Sequence, residues 1–230
     1  MKNIAVIPAR GGSKRIPRKN IKPFLGKPII AYSIEAALQT QLFDEVMVST
    51  DDEEIAIIAK QYGANVPFLR SEAASNDFAT TADVLNEVIS KYEKQNQVFD
   101  NMCCFYPTAP LIQPKNIIDA YQKLTTGAFS SVYPIVAFSY PIWRCLDLEN
   151  DGSISRHWKE FENSRSQDLP KTYHDSGTFY WYKVQEWKSG NVKTGGIIVD
   201  EIKVQDIDTE TDWKLAELKY KLLYEKISEE

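Results

Sequence analysis

Residues 3–9 form a near-continuous apolar run, and a glycine-containing segment rich in basic side chains follows it directly. A run of this kind is typical of a strand that is buried on both faces of a parallel sheet. In such sheets the ligand site lies in the loops that follow the carboxyl ends of the strands. We therefore predict that residues 3–9 are the first, central strand and that the basic segment enters a binding site.

Apolar runs and amphipathic stretches alternate along most of the chain. Further strands are predicted at 45–50, 66–69, 102–106, 130–136, 178–183 and 196–204. Helices are predicted at 28–40, 52–62, 81–95, 113–125 and 212–227, the last with Leu215, Leu218, Leu222 and Ile227 on one apolar stripe. This alternation predicts an α/β fold in three layers, with a mostly parallel mixed sheet between helices.

The alternation stops between residues 137 and 170, where the Asn150-Asp151-Gly152 turn between short mixed segments indicates a hairpin. The aromatic residues of this element are Phe138, Tyr140, Trp143 and Trp158. They are too many for a free hairpin to bury, so that either a subunit interface or the parent sheet must cover them. We predict a single domain over residues 1–230 with an inserted element at 137–170.

Charge and cysteine content exclude several classes of protein. The chain has 27 Lys and Arg against 32 Asp and Glu, a net charge of −5, which is not expected of a protein that binds nucleic acid over a whole face. Cys103 and Cys104 are adjacent and Cys145 is distant, so they provide neither a disulfide set nor a metal-binding spacing. No apolar stretch approaches the roughly 20 residues of a membrane span. We expect a cytoplasmic protein that binds neither nucleic acid nor membrane.

The segment after the first strand is strongly basic. Residues 1–27 contain no acidic side chain and eight basic ones, namely Lys2, Arg10, Lys14, Arg15, Arg18, Lys19, Lys22 and Lys27. Gly11 and Gly12 allow backbone amides to approach an anion, Ser13 adds a hydroxyl donor, and the cations at positions 10, 14 and 19 suit phosphate oxygens. The segment has neither P-loop nor dinucleotide-binding spacing. It predicts a triphosphate site, the alternative being a solvated basic loop.

Two carboxylates two positions apart, Asp206 and Asp208, precede the last predicted helix. In extended backbone such residues point to the same side, so both could face one Mg²⁺ that is shared with nucleotide phosphates. The alternative is that these acids are turn residues and part of a helix cap.

The order of motifs along the whole chain resembles that of the cytidylyltransferases of nine-carbon acidic sugars, the CMP-sialic acid synthetase family. The motifs are PARGGSKRIPRKN from Pro8, Ser49-Thr-Asp51, Arg70, SNDFATT from Ser75, PTAPL from Pro107, Arg165 with QDLP from Gln167, and DIDTE from Asp206. The resemblance implies a Rossmann-like fold of the nucleotide-diphospho-sugar transferase type and a homodimer formed through residues 137–170. It implies transfer of CMP from CTP to the anomeric hydroxyl of a nonulosonic acid, with Mg²⁺ as cofactor, for glycosylation of surface glycans or flagellin.

The resemblance also implies roles for individual residues. The triphosphate of CTP would be held by Arg10, Gly11, Gly12, Ser13, Lys14 and Lys19, with Asn20 and Arg70 on ribose and cytosine and with Thr80 and Thr81 near the base or sugar. Asp206 and Asp208 would hold Mg²⁺. Arg165 would meet the sugar carboxylate in a pocket completed by a partner subunit. Catalysis would rest on Arg10, Lys14 and Lys19, with Asp206 as the candidate general base.

Two positions depart from the sialic acid pattern, and both belong to the sugar half of the site. Tyr106 replaces a glutamine, and His174 replaces an arginine. The segment Arg165-Ser-Gln-Asp-Leu-Pro170, followed by Tyr173-His-Asp175, is similar to that of the family members that act on pseudaminic acid. We therefore expect pseudaminic acid as the acceptor, with sialic, legionaminic or 3-deoxy-octulosonic acid as alternatives. A non-catalytic nucleotide sensor is a further alternative, which retention of both aspartates argues against.

Overall fold

The computed structural model describes residues 1–13 and 15–224. Its strands are β1 (Asn3–Pro8), β2 (Pro23–Phe24), β3 (Lys27–Pro28), β4 (Glu45–Ser49), β5 (Asn101–Phe105), β6 (Ser131–Ala137), β7 (Leu146–Leu148), β8 (Ile154–Arg156), β9 (Tyr173–Asp175), β10 (Phe179–Lys183) and β11 (Thr194–Ile198). Its helices are α1 (Ile29–Gln39), α2 (Glu53–Gln61), α3 (Glu72–Ser75), α4 (Thr81–Lys94), α5 (Pro114–Thr126), α6 (Val184–Ser189) and α7 (Glu210–Tyr224).

One mixed sheet of 7 strands organises the fold, in the order β11-β6-β10-β5-β1-β4, with β9 paired to β6. Strands β4, β1, β5, β6 and β11 run in one direction, and β9 and β10 run against them. β1 is central, with β4 and β5 on either side, as predicted from its apolar sequence. The sheet is therefore mixed and mostly parallel, and that prediction is confirmed.

Alternate residues of β1 point into two separate cores, because successive side chains of a strand face opposite sides of a sheet. Ala5 and Ile7 pack in one cluster with residues of α1 and α5, whereas Ile4 and Val6 pack in the other with residues of α4. Helices thus cover both faces of the sheet in three layers. The residues at the carboxyl ends of β1 and β5, Pro8 and Tyr106, line a cavity at one edge of the sheet.

Strand β10 separates β5 from β6 and is antiparallel to both. Its central Trp181 is fully buried and donates an indole hydrogen bond of 3.2 Å to the Ile117 carbonyl oxygen of α5. A strand from late in the chain therefore joins the two halves of the sheet.

Two sequence-based predictions about local structure are wrong. Residues 66–69 form no strand; only Asn65 makes a β-bridge, to Met47, because Pro67 has no N–H to continue the pairing. The leucine stripe of α7 faces outward, with Leu218 58% exposed, and Trp213 and Ala216 face the core instead. Leu215 and Leu222 are exposed as well, and Ile227 lies outside the described residues.

The segment from residue 138 to residue 172 leaves the sheet after β6 and returns through β9, which pairs with β6. It contains the β7–β8 hairpin, whose turn places Gly152 at φ +84°. The Trp143 ring packs on Trp158 and Phe161, each at 5.4 Å between ring centroids. Leu148 of β7 is 75% exposed. The predicted hairpin is present, and part of its apolar surface is uncovered in the single chain.

None of the helices found among the described residues is long and apolar enough to cross a membrane.

Candidate functional site

Two cavities adjoin at the carboxyl ends of the central strands, and Tyr106, which follows β5, lines both. We call the first, of about 520 Å³, the basic cavity. Its lining residues are Pro8, Arg10, Ser13, Arg15, Lys19, Asn20, Arg70, Ala74, Asn76, Asp77, Ala79, Thr80, Thr81, Val84, Tyr106, Pro107 and Thr108. We call the second, of about 480 Å³, the adjoining cavity. Its lining residues are Tyr106, Val136, His174, Asp175, Ser176, Gly177, Tyr180, Glu201, Val204, Gln205, Asp206 and Lys219.

Arg10 lies at the end of β1 and faces the basic cavity. Its guanidinium forms an ion pair of 3.2 Å with Asp77, which belongs to the loop between α3 and α4. The side-chain amide of the buried Asn20 donates a 2.9 Å hydrogen bond to the Arg10 carbonyl oxygen. Asn20 therefore fixes the backbone that carries Arg10, and an incoming phosphate would compete with Asp77 for the guanidinium.

Gly11 serves close packing rather than the lining of the cavity. The Gly11 amide donates a 3.0 Å hydrogen bond to the Asp51 carboxylate. A Cβ at Gly11 would lie 2.7 Å from Asp52 Oδ2, so this position has no room for a side chain. Of the predicted phosphate-binding residues here, Ser13 lines the basic cavity, whereas Gly11 and Gly12 do not. Lys14 lies outside the described residues.

Lys19 reaches across the basic cavity to the segment before α7. Its ammonium donates a 2.6 Å hydrogen bond to the Ile207 carbonyl oxygen and lies 3.7 Å from the Asp208 carboxylate. Burial lowers the pKa of this ammonium, and the charges of Asp208 and Asp206 oppose that shift. Arg15 pairs with Asp208 at 2.6 Å from the other side. Three charged side chains thus converge at one wall of the cavity.

Asp206 and Asp208 flank Ile207, whose side chain is completely buried in the core. Both carboxylates consequently project away from the core, as their spacing predicted. Asp206 lines the adjoining cavity, whereas Asp208 contacts two cations of the basic cavity. Within residues 1–13 and 15–224 no group of three or more His, Cys, Asp or Glu side chains could hold a metal ion. The pair suits Mg²⁺, which proteins bind through one or two carboxylates plus substrate phosphates.

Arg70 and Thr80 also line the basic cavity. Arg70 is almost completely buried, and its guanidinium donates to the Ser49 hydroxyl at 3.1 Å and to the Ser49 carbonyl oxygen. Burial lowers the pKa of this guanidinium. The Thr80 hydroxyl caps α4 in a reciprocal arrangement with Asp83. Thr81 lines the same cavity at the first turn of α4.

The adjoining cavity has an uncharged aromatic wall and polar groups around it. The Tyr180 hydroxyl donates a 2.8 Å hydrogen bond to Asp175, and burial raises the pKa of this phenol. The Tyr180 ring lies 5.4 Å from that of Tyr106. His174 Nδ1 donates a 2.8 Å hydrogen bond to the Asp175 carbonyl oxygen. The second ring nitrogen, Nε2, can then contact a ligand in this cavity.

Arg165 is a sequence-predicted site residue that lines neither cavity, and the same holds for Gly11, Gly12 and Asp208. It precedes the short 3-10 turn Ser166–Asp168 in the segment that leaves the sheet. Sequence reasoning assigned no role to Arg15, Asp77, Asp175 or Lys219, all of which line the two cavities. Asp77 belongs to the SNDFATT motif, and Asp175 belongs to the Tyr173-His-Asp175 segment, so that family motifs could have indicated both. Lys219 lies in an ordinary helical stretch that gives no such signal.

Comparison with known proteins identifies the family. A sequence profile described as "Cytidylyltransferase" matches residues 4–176. A pseudaminic acid cytidylyltransferase of Campylobacter jejuni subsp. jejuni is 42% identical over 98% of this chain and 99% of its own. A CMP-N,N'-diacetyllegionaminic acid synthase of Legionella pneumophila subsp. pneumophila is 37% identical over 94% of this chain and 95% of its own. These matches extend over nearly the full length of both relatives.

Among solved structures, a CMP:2-keto-3-deoxy-manno-octonic acid synthetase complexed with CTP matches with a TM-score of 0.71 at 21% identity. The match covers 98% of this chain and 100% of the other. It shows that the two chains share a fold, and it confirms the predicted α/β fold class. The extent of the sequence profile and the identity to full-length relatives show that this chain belongs to the cytidylyltransferase family of nucleotidyltransferases.

Proposed function

We propose that the protein transfers CMP from CTP to the anomeric hydroxyl of pseudaminic acid. The observation that carries this proposal is the pair of adjoining cavities that share Tyr106, one lined by Arg10, Arg15, Lys19 and Arg70 and the other by polar groups suited to a sugar. A reaction between a polyanionic nucleotide and a sugar needs two such sites in contact. The name of the Campylobacter jejuni relative supports the choice of sugar.

CTP would occupy the basic cavity with its triphosphate against Arg10, Ser13, Lys14 and Lys19. Asn20, Arg70 and Thr80 would lie near the ribose and the base. Displacement of Asp77 from Arg10 would free that guanidinium for a phosphate oxygen. Preorganised cations of this kind stabilise negative charge that develops on the α-phosphate and on the departing pyrophosphate.

Asp206 and Asp208 would hold the Mg²⁺ ion, since Asp206 lines the adjoining cavity and Asp208 contacts Arg15 and Lys19 of the basic cavity. Mg²⁺ bound there would neutralise phosphate charge during the transfer. Arg15 and Lys19 balance the charge of Asp208 in the unliganded chain. These cations would need to turn toward the phosphates as the carboxylates take up the ion.

The sugar would occupy the adjoining cavity beside Tyr106 and His174, whereas Thr81 lines the basic cavity. Its anomeric oxygen would form a bond to the α-phosphorus while the bond from that phosphorus to pyrophosphate breaks, and the hydroxyl proton would pass to a base. Asp206 is the candidate base because it lines the adjoining cavity. No covalent enzyme intermediate is required.

A homodimer would complete the sugar site. The exposed apolar residues of the hairpin, with Leu148 75% and Ile154 64% exposed, support an interface between two copies. Arg165 of one copy would then reach the adjoining cavity of the other. The three cysteines are unpaired, which supports a reducing compartment such as the cytoplasm.

Pyrophosphate release tests the proposal. The four nucleoside triphosphates are each combined with pseudaminic, legionaminic, N-acetylneuraminic and 3-deoxy-octulosonic acids. Of the four nucleotides, we expect only CTP to support turnover, and of the four sugars we expect pseudaminic acid to give the highest kcat/KM. The identity to the Legionella pneumophila relative makes a legionaminic acid the second candidate. A higher kcat/KM with another sugar would refute the choice of pseudaminic acid. Absence of turnover of CTP with all four sugars would refute the proposed reaction.

A further inference from the structure

Lys219 of α7 lines the adjoining cavity and is held in an unusual way. Its ammonium donates hydrogen bonds to the carbonyl oxygens of Val204, at 2.7 Å, and of Glu201, at 3.1 Å. These two bonds use two of its three N–H donors, and the third stays available for a ligand. The lysine is therefore positioned by the backbone and not by a carboxylate.

The charge of Lys219 has no ion-pair partner in residues 1–13 and 15–224. Two lysines from the basic segment, by contrast, do form ion pairs near the start of α7. Lys19 pairs with Asp208, and Lys22 pairs with Glu210. Burial lowers the pKa of Lys219, and the charge of Glu201 opposes that shift. A half-buried ammonium that makes no direct ion pair gains free energy when an anionic ligand binds next to it.

The ligand that suits this ammonium is a single carboxylate. Asp175, Glu201 and Asp206 also line the adjoining cavity, and their charges would repel a phosphate or another polyanion more strongly than a carboxylate, which has a single charge. The same acids can accept hydrogen bonds from sugar hydroxyl groups. The phosphates of a nucleotide have their own cations in the basic cavity, so Lys219 is not needed for them.

We propose that Lys219 binds the carboxylate of the sugar acid within the same subunit and so selects acidic sugars over neutral ones. The inference rests on the proposed function, and it assigns the carboxylate to a residue of α7. Arg165, which lies in neither cavity of its own chain, is the competing candidate for this carboxylate.

The test compares pseudaminic acid with its C1 carboxamide, which keeps the anomeric hydroxyl and lacks the charge. Lys219→Gln keeps an N–H donor for the carbonyl oxygens without the charge, Lys219→Met removes both, and Lys219→Arg restores the charge. We expect kcat/KM for the acid to fall roughly 10- to 100-fold in the first two variants, as for loss of one hydrogen bond to a charged group. The value for the carboxamide should hardly change.

The ratio of kcat/KM for the acid to that for the carboxamide separates a ligand contact from a structural role. Misfolding would lower both values together and would weaken CTP binding, which calorimetry measures. The exposed Lys221 of α7 provides the matched control, Lys221→Met, and Lys219→Arg should recover most of the ratio.

The inference is overturned if both Lys219→Gln and Lys219→Met keep the ratio of the unmodified protein. It is also overturned if Arg165→Met alone abolishes that ratio, because the partner subunit's arginine would then hold the carboxylate. If the unmodified protein turns over none of the nonulosonic acids, the proposed function itself has failed, and the inference falls with it.

Discussion

Arg18 donates two hydrogen bonds to Asp52, from Nη1 to Oδ2 at 2.5 Å and from Nη2 to Oδ1 at 3.0 Å. Asp52 Oδ1 also accepts a 3.0 Å hydrogen bond from the Ile55 amide and so caps α2. Arg18, which has a φ of 54°, thereby fastens the end of the basic segment to the first turn of α2. Glu54 receives a further hydrogen bond from the same guanidinium.

We expect Asp52→Asn to lower stability at neutral pH by at most about 1 kcal/mol, since the pair is partly exposed. The hydrogen bond from Arg18 lowers the pKa of Asp52, so the folded-state pKa lies below the unfolded value of about 3.9. The stabilisation is therefore fully present above about pH 5 and is lost as pH falls through the folded-state pKa. Urea unfolding between pH 7 and pH 2 measures this difference, which should shrink with acidity.

Asp119→Asn is the control for that series, because Asp119 forms an ordinary surface pair with Lys115. Its effect should be near zero at every pH. An Asp52→Asn effect that stayed constant from pH 7 to pH 2 would contradict the assignment to the Arg18 pair.

Arg10→Ala and Lys19→Ala should each reduce kcat/KM by roughly 30- to 900-fold, which corresponds to about 2–4 kcal/mol of lost transition-state stabilisation. Both cations line the basic cavity, where phosphate charge develops. The exposed Lys60 of α2 provides the control variant Lys60→Ala, which should retain full activity. Steady-state kinetics with CTP measure this loss. If kcat/KM of both variants stayed within threefold of that of the unmodified protein, the segment would be a solvated basic loop without a role in phosphate binding.

Mg²⁺ should bind only together with CTP, because the described residues offer two carboxylates and no larger ligand group. Isothermal titration of Mg²⁺ should give no signal with the protein alone and a clear one when CTP is present. Asp206→Asn combined with Asp208→Asn should abolish that signal and turnover. Near-normal turnover of the double variant in Mg²⁺ would show that the ion is held elsewhere.

Tyr106→Gln combined with His174→Arg should erode the preference for pseudaminic acid over N-acetylneuraminic acid. The phenol and the imidazole both line the adjoining cavity, and the change alters shape and donor pattern there. Competition kinetics with the two sugars measures the preference, and the KM for CTP should stay within about threefold. A variant that binds CTP poorly and keeps its sugar preference would place the two residues in the nucleotide half.

Leu148→Glu should dissociate the proposed homodimer, since it puts a charge on an apolar side chain that is 75% exposed on the hairpin. Sedimentation velocity measures the change in mass, and activity should fall with it if Arg165 acts across the interface. Ile57→Glu is the control, because Ile57 is a comparably exposed apolar residue on α2. A fully active monomer would remove the proposed role of the partner subunit.

Local patterns predicted the parts of the fold that depend on neighbours in sequence. The apolar run of β1 and the outward direction of the two carboxylates that flank buried Ile207 both follow from spacing. Periodicity failed on α7, because it identifies which residues share a face and not whether that face finds a partner. Trp213 is the residue of α7 that is buried in the core, and its ring packs on Phe24 at 5.6 Å between ring centroids.

The site could be predicted only where motifs carry it. The basic segment and the pair of aspartates have spacing with a chemical meaning, and both lie at the cavities. Lys219 follows Glu201 by 18 residues and Val204 by 15 residues. Its hydrogen bonds to their carbonyl oxygens nevertheless depend on how α7 packs. No rule of sequence distinguishes such a lysine from a solvated one.

The position of β10 between β5 and β6 has a consequence for synthesis on the ribosome. Strands β4, β1 and β5 are complete when residue 105 has been made, but the β5 edge stays unpaired until Phe179–Lys183 emerges. That edge presents the fully apolar Met102–Phe105 stretch, which is a template for aggregation. We expect nascent chains halted before residue 179 to need chaperone protection and those halted well beyond residue 183 to be protected against proteolysis, which pulse digestion of stalled ribosome complexes can measure.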